Sequence, residues 1–238
     1  MNRRRFTTMA VGAGIAVPLA ALGLERSEAK PRPSGLPDRP LPVPTDGMIR
    51  TAVAIGPGAN VIDMSGPWEV FQDAAVAGAA GQFELFTVAE DTSPVDASGG
   101  LRIHPTYSYR SSPQPNVVVV PAHGATERTL AWIRDVAPEA DLVMSVCTGA
   151  FVLADAGLLD GKTATTHHQS CDLLEQSYPA IRVVRERRFV ENEHVATAGG
   201  LSSGIDLALR VVERYLGRDA ADATAEYMEY ERSSLAVA

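Results

Sequence analysis

From Met48 onward, short apolar runs alternate with longer segments whose apolar residues recur at helical spacing. The runs MIRTAVAIG, FELFTVAE, NVVVVPAHG and DLVMSV have the length and β-branched content of buried strands. The segments SGPWEVFQDAAVAGAAG, TERTLAWIRDVAPEA and TGAFVLADAG between them carry helix-start signals and helical spacing. This alternation predicts an α/β domain with a mostly parallel sheet and helices on both faces.

The second half of the chain continues the pattern with shorter elements. A Gly-Gly pair typical of a hairpin precedes LRIH. KTATT predicts a short strand, and HHQSCDLLEQSYP predicts a helix. The stretch IRVVRERRFVENEHVATAG predicts two strands with a turn near Glu191 and Asn192, before the helices SSGIDLALRVVERYLG and AADATAEYMEYE. We expect one domain over residues 48–232, with ligands gathering at the carboxyl ends of its strands.

The N-terminal region follows another pattern. Arg3 and Arg4 precede an apolar run from about Met9 to Leu24, which is short for a membrane span, and small residues follow near Ala29. Residues 1–29 are therefore predicted to be a twin-arginine signal peptide, giving a periplasmic or extracellular protein without stable membrane association. An uncleaved anchor is the alternative. Six prolines predict an extended linker over residues 30–47.

Composition narrows the possible partners. Apolar residues make up 45% of the chain, charged residues 21%, and the formal net charge is -8. This balance is ordinary for a globular protein and argues against nucleic acid or an anionic membrane as a partner. Two cysteines are too few for a disulfide framework, and there is no zinc-ribbon spacing, Walker loop or dinucleotide-binding glycine pattern.

Cys147 is the main candidate for chemistry, because it stands between a predicted buried strand and a helix start. A side chain at such a turn projects from the sheet edge, as nucleophiles do in hydrolases. The following helix N-terminus is expected to lower the pKa of the thiol and to stabilise a developing anion. The alternative is an inert cysteine packed as a small apolar residue.

Three stretches together resemble one family. SVCTGAFVLADAGLLDGKTATTHH, VIDMSGPWEVF and TAGGLSSGIDLALRVVERYLG are similar to the DJ-1/PfpI superfamily, which is related to the class I glutamine amidotransferases. They are most similar to its isonitrile hydratase branch, which shares this domain with some AraC-type regulators. The resemblance implies a flavodoxin-like three-layer sandwich, a homodimer, a small-molecule substrate, no cofactor or metal, and a nucleophilic cysteine.

The resemblance also assigns individual residues. Cys147 matches the nucleophile, Thr148 the assisting residue after it, and Asp63 the acidic residue held beside the thiol. The loop of His123 and Gly124 matches the one that supplies an oxyanion-type N–H, expected here from His123. The family has Pro-Gly-Gly where this chain has Pro-Ala-His, which changes the backbone angles open to that loop.

Several roles stay open at this level. His167 matches a family histidine and could assist the thiol, or be a structural loop residue, while His168 replaces an aromatic residue. Cys171 could bind zinc together with His167, or pair with Cys147 in a disulfide.

The sequence therefore predicts a hydratase in which a Cys147 thiolate attacks an isonitrile or a similar small electrophile, and water oriented by Asp63 releases an N-substituted formamide. The shared proton is expected on Asp63, with sulfur ionised. A ligand-binding or sensory domain without turnover, and a glyoxalase-like or hydrolase-like enzyme, are the alternatives.

Overall fold

The computed structural model describes residues 39–76 and 82–232. The predicted signal peptide and most of the predicted linker lie outside these residues. Within the described ranges the strands are β1 (Met48–Ala54), β2 (Gln82–Ala89), β3 (Val95–Asp96), β4 (Arg102–Ile103), β5 (Tyr107–Ser108), β6 (Val117–Val120), β7 (Leu142–Val146), β8 (Thr163–Ala164), β9 (Arg182–Val183), β10 (Phe189–Glu191) and β11 (Val195–Ala198). The α-helices are α1 (Val61–Val76), α2 (Glu127–Val136), α3 (Gly149–Asp155), α4 (Cys171–Ser177), α5 (Ser203–Leu216) and α6 (Arg218–Tyr227).

Seven strands form one sheet in the order β10-β11-β7-β6-β1-β2-β5. Every neighbouring pair is parallel except β10 and β11, which form the predicted antiparallel pair. Val119 of β6 lies between Val53 of β1 and Met144 of β7, so the carboxyl ends of these strands meet at one edge. The predicted α/β class is confirmed, and the hairpin at Gly99 and Gly100 is the β3–β4 pair.

Helices cover both faces because side chains on each strand alternate in direction. In β6, Val117 and Val119 pack in a core with residues of α1, α5 and α6. Val118 and Val120 pack in a second core with residues of α2, α3 and α4. All four valines are fully buried, which explains why β6 reads as an unbroken apolar run.

The start of α1 differs from the sequence prediction, which placed it at the SGP segment. The helix begins earlier, at Val61, whose N–H donates to Ser98 Oγ at 3.1 Å, while the Ile62 N–H donates to Asn60 Oδ1 at 3.2 Å. Pro67 consequently lies inside the helix. The cap at Ser98 comes from the β3–β4 region and could not be found from local sequence.

Residues 39–47, the described end of the predicted linker, contact α5. The Leu41 N–H donates to the Arg214 carbonyl at 2.8 Å, and Arg214 Nε donates to the Arg39 carbonyl at 3.2 Å. The Leu41 side chain is buried. Over residues 39–76 and 82–232, no helix has the length and apolar character needed to cross a membrane.

Candidate active site

Cys147 lies at the turn between β7 and α3, with its backbone in the left-handed region at φ 59°. Such a conformation is uncommon for a residue other than glycine, and surrounding contacts must hold it. Its N–H donates to the Gly199 carbonyl at 2.8 Å, and its carbonyl accepts a hydrogen bond from the Thr166 hydroxyl at 2.8 Å. The turn therefore places Cys147 at the carboxyl end of β7, where its side chain is buried near Asp63.

Gly149 allows this turn to be tight. A Cβ atom at this position would overlap the Val120 carbonyl oxygen and lie 3.0 Å from the Pro121 carbonyl oxygen. The first residue of α3 thus packs directly on the end of β6, and the loop after β6 is brought beside Cys147. Glycine is required here by the close approach of backbone, without a positive φ.

Asp63 lies in the first turn of α1 and is fully buried. Its Oδ2 accepts a hydrogen bond from the Ala122 N–H at 3.2 Å, which ties the carboxyl to the loop after β6. Burial raises the pKa of Asp63 to about 6, against smaller lowering effects from the Ala122 N–H and the Cys147 thiol. The Cys147 thiol is close enough to lower the pKa of Asp63. Asp63 Oδ1 nevertheless forms no hydrogen bond of good geometry with any described residue. The structure therefore brings Asp63 and Cys147 together, and near neutral pH the carboxyl can exchange a proton.

The thiol itself differs from the prediction. Burial raises the pKa of Cys147, and the charge of Asp63 raises it further. Hydrogen bonds from the backbone and side chain of Thr148 and from the Leu201 backbone only partly oppose this. The predicted lowering of the thiol pKa is therefore wrong, because burial and the neighbouring carboxylate both raise it. In the resting site the carboxyl of Asp63 ionises first and the proton stays on sulfur.

Leu201 was not found by sequence reasoning. It follows Gly199 and Gly200 at the carboxyl end of β11 and has a φ of 53°. Its backbone hydrogen bond to the thiol adds to those from Thr148, so two segments distant in sequence face the sulfur. The signal available was the TAGG sequence after a predicted strand, since paired glycines at a strand end favour close backbone approach.

The loop predicted to supply oxyanion donors is only partly suited to that role. The Gly124 N–H donates to the Pro57 carbonyl at 3.1 Å, so it is not available to a substrate. His123 Nδ1 donates to the Pro121 carbonyl at 2.8 Å, and Nε2 is buried without a partner among the described residues. A Cβ at Gly56 would lie 2.5 Å from His123 Cδ2, so the imidazole packs directly over that glycine. Burial lowers the pKa of His123, which favours the neutral imidazole.

His167 and His168 line a different region, a cavity of about 630 Å³ next to the Cys147 turn. Their rings lie 4.4 Å apart, and His167 packs against Gly200. Cys171 also contributes to the cavity wall but is buried, with its sulfur 3.8 Å from the His167 carbonyl. Cys147 and Cys171 are both free thiols and pack in different cores.

No group of three or more metal-ligating side chains occurs in the part of the chain that the structure describes.

The predicted site residues fall into two sets. Asp63, Cys147 and Thr148 come together at the sheet edge, whereas His167 lies on the wall of the neighbouring cavity.

Comparison with known proteins identifies the family of the chain. The profile of the DJ-1/PfpI family matches residues 49–214. An isonitrile hydratase from Pseudomonas putida is 34% identical over 181 residues, which cover 73% of this chain and 75% of that protein. The HTH-type transcriptional regulator CdhR from Pseudomonas aeruginosa is 29% identical over 57% of this chain, and the match covers 41% of the regulator.

Solved structures show the same fold. A ThiJ/PfpI family protein from Pseudomonas syringae superposes with a TM-score of 0.69 at 27% identity, covering 84% of each chain. DJ-1beta from Drosophila melanogaster superposes with a TM-score of 0.67 at 19% identity, covering 76% of this chain and 98% of its own. With a matching profile over most of its length and the flavodoxin-like sheet of these neighbours, the chain belongs to the DJ-1/PfpI family.

Proposed function

We propose that the protein is a cysteine-dependent hydratase that adds water to an isonitrile and releases an N-substituted formamide. The observation that carries the proposal is the buried Asp63 carboxyl beside a Cys147 thiol held at a positive φ. The 34% identity to an isonitrile hydratase supports the same reaction type.

The first step joins sulfur to the terminal carbon of the isonitrile. Asp63 takes the thiol proton as the Cys147 sulfur attacks, and then delivers that proton to the same carbon. One S–H bond breaks, one S–C and one C–H bond form, and the product is a thioimidate. A pKa of about 6 suits Asp63 to both transfers, because it can take a proton and return it near neutral pH.

The second step adds water to the thioimidate carbon. Asp63 takes one proton from the attacking water and passes it to the nitrogen, leaving a hydroxyl group on the carbon. The C–S bond then breaks, the hydroxyl proton returns to sulfur through Asp63, and the formamide leaves. The N–H groups of Thr148 and Leu201 stabilise charge that develops on sulfur as it departs.

The direct test is incubation of the purified protein with alkyl and aryl isonitriles, with the formamide followed by chromatography. We expect turnover that Cys147→Ser abolishes. Because Cys171 is the second thiol, Cys171→Ser is the matched control and is expected to keep activity on neutral isonitriles, which carry no group for the cavity that Cys171 lines. Absence of formamide across several isonitriles would contradict the proposal.

A second function, ligand binding without turnover, is supported by the regulators that share the domain. In that case the site would recognise a small molecule and the protonated thiol would act as a binding group. Cys147→Ser separates the two functions by calorimetry and turnover together. Affinity that survives in a protein without measurable turnover supports the sensor, and turnover in the wild type supports the enzyme.

A further inference from the structure

The cavity beside Cys147 is built by three loops, those after β8 and β11 and the one between β9 and β10. It adjoins the nucleophile turn directly. Gly199 on its wall accepts the Cys147 N–H at 2.8 Å, and its own N–H donates to the Arg188 carbonyl at 2.8 Å. Thr166, also on the wall, donates to the Cys147 carbonyl. A molecule in the cavity would therefore lie against the segments that hold the thiol.

Three guanidinium groups and one carboxylate line this cavity. Arg188 is committed to the protein, since Nε donates to Asp206 at 2.7 Å and its other nitrogens donate to Ser202 and Tyr230. Arg185 binds two carboxylates, but through Nη2 alone. Its Nε and Nη1 remain as donors.

Arg187 is exposed and forms no ion pair within residues 39–76 and 82–232. Glu186 is also exposed and without an ion pair in these ranges, and it is the one carboxylate among the described residues that line the cavity. His167 adds another donor. Its Nδ1 accepts the Gln169 N–H at 3.3 Å, so Nε2 is the ring nitrogen that can donate. Guanidinium groups thus outnumber carboxylates on the cavity wall.

We propose that this cavity binds the carboxylate of the substrate, with Arg187 as its main partner, and so selects isonitriles that carry an acidic group. The selection among isonitriles rests on the proposed hydratase activity, whereas the binding of a carboxylate in the cavity does not depend on it. A planar guanidinium holds a carboxylate through two parallel hydrogen bonds, which a neutral ester cannot reproduce. Glu186 opposes the binding of an anion and limits its strength.

Isocyanoacetate and its ethyl ester are matched probes, because they share the reacting carbon and differ in the carboxylate. Arg187→Gln should lower kcat/KM for isocyanoacetate about tenfold, the loss expected for an exposed charge-assisted contact, and leave the ester unchanged. Arg110→Gln is the control. Arg110 is also exposed, forms no ion pair with another described residue, and lies beyond β5 at the opposite edge of the sheet.

Binding is measured separately by calorimetry with N-formylglycine, the product of isocyanoacetate hydration, and with its ethyl ester. We expect Arg187→Gln to weaken binding of the acid about tenfold, and Glu186→Gln to strengthen it about threefold as a repulsion is removed. Acid binding that depends on Arg187 without any isonitrile turnover would support the cavity and contradict the hydratase. Turnover of the ester with no preference for the acid, or equal binding by Arg187→Gln and Arg110→Gln, would overturn the cavity proposal.

Discussion

Asp63→Asn is the most informative substitution, because the structure predicts that it changes catalysis, thiol acidity and stability in different directions. Asparagine keeps the side-chain shape, and its carbonyl oxygen can still accept the Ala122 N–H that now bonds to Oδ2. It cannot take and return a proton. We therefore expect turnover to fall by at least about 100-fold, the low end of the usual contribution of general acid–base catalysis.

The stability change follows from the buried charge. The pKa of Asp63 rises from 3.8 to about 6 on folding, and about 1.4 kcal/mol per pK unit makes the ionised carboxyl unfavourable by about 3 kcal/mol. The folded protein thus binds this proton more tightly, so the contribution of Asp63 to stability increases as pH falls from 6 towards 3.8. Asparagine should raise the free energy of unfolding by up to about 3 kcal/mol above pH 6, and the gain should shrink in acid.

Three assays test this prediction on one preparation. Formamide release gives turnover, urea unfolding across a pH series gives stability, and the iodoacetamide rate gives thiol acidity. Loss of the carboxylate removes a cause of the raised Cys147 pKa, so labelling near neutral pH should be faster than in the wild type. Asp73→Asn, the same change at a half-exposed position of α1, is the control. An Asp63→Asn protein with near wild-type turnover would remove Asp63 from the mechanism, and unchanged stability above pH 6 would refute the burial argument.

Gly149→Ala should lower the free energy of unfolding by about 2 kcal/mol in denaturant titrations, because the added methyl group overlaps a carbonyl oxygen of β6. Gly124→Ala is the control and should have a smaller effect, since a Cβ at that position makes only an ordinary van der Waals contact. The pKa of His123 in the folded protein lies below its usual 6.5, so the contribution of His123 to stability is present above that pH and is lost as pH falls. Relative to His123→Gln, the wild type should therefore lose free energy of unfolding in acid, and parallel curves of unfolding free energy against pH would contradict this. If residues 1–29 are a twin-arginine signal, changing Arg3 and Arg4 to lysine should retain the protein in the cytoplasm of a host with that pathway, as fractionation would show; continued export would indicate another route.

The sheet could be predicted from sequence because its central strands are buried on both faces. β6 and β7 therefore appear as continuous apolar runs in the sequence. Because Cys147 directly follows β7, its position at the carboxyl end of that strand could be predicted. Asp63 could be placed near the thiol only through the family resemblance. Nothing in the local sequence shows that α1 starts at Val61, because one of its caps is Ser98, 37 residues away.

The electrostatics of the site were harder to predict, since they depend on contacts between distant segments. The sequence shows a helix start after Cys147, which favours a thiolate, but the burial of the sulfur comes from loops that meet only in the fold. Leu201 contacts the thiol from the end of β11, and the Ala122 N–H fixes the Asp63 carboxyl. The same holds for the cavity of Arg187, whose three loops are separated by up to about thirty residues in sequence.

The resting protonation state also bears on where the protein could work. Oxidation proceeds through the thiolate, so a buried thiol whose pKa is raised resists sulfenic acid and disulfide formation better than an exposed thiolate does. Such protection would matter most in an oxidising compartment outside the cytoplasm, as proposed from the N-terminal residues. In the proposed hydratase an isonitrile would still react, because its terminal carbon accepts both the sulfur and the proton that Asp63 carries. Under this proposal the site couples loss of the thiol proton to formation of the C–H bond, and Asp63 makes sulfur more nucleophilic by taking that proton as the isonitrile is attacked.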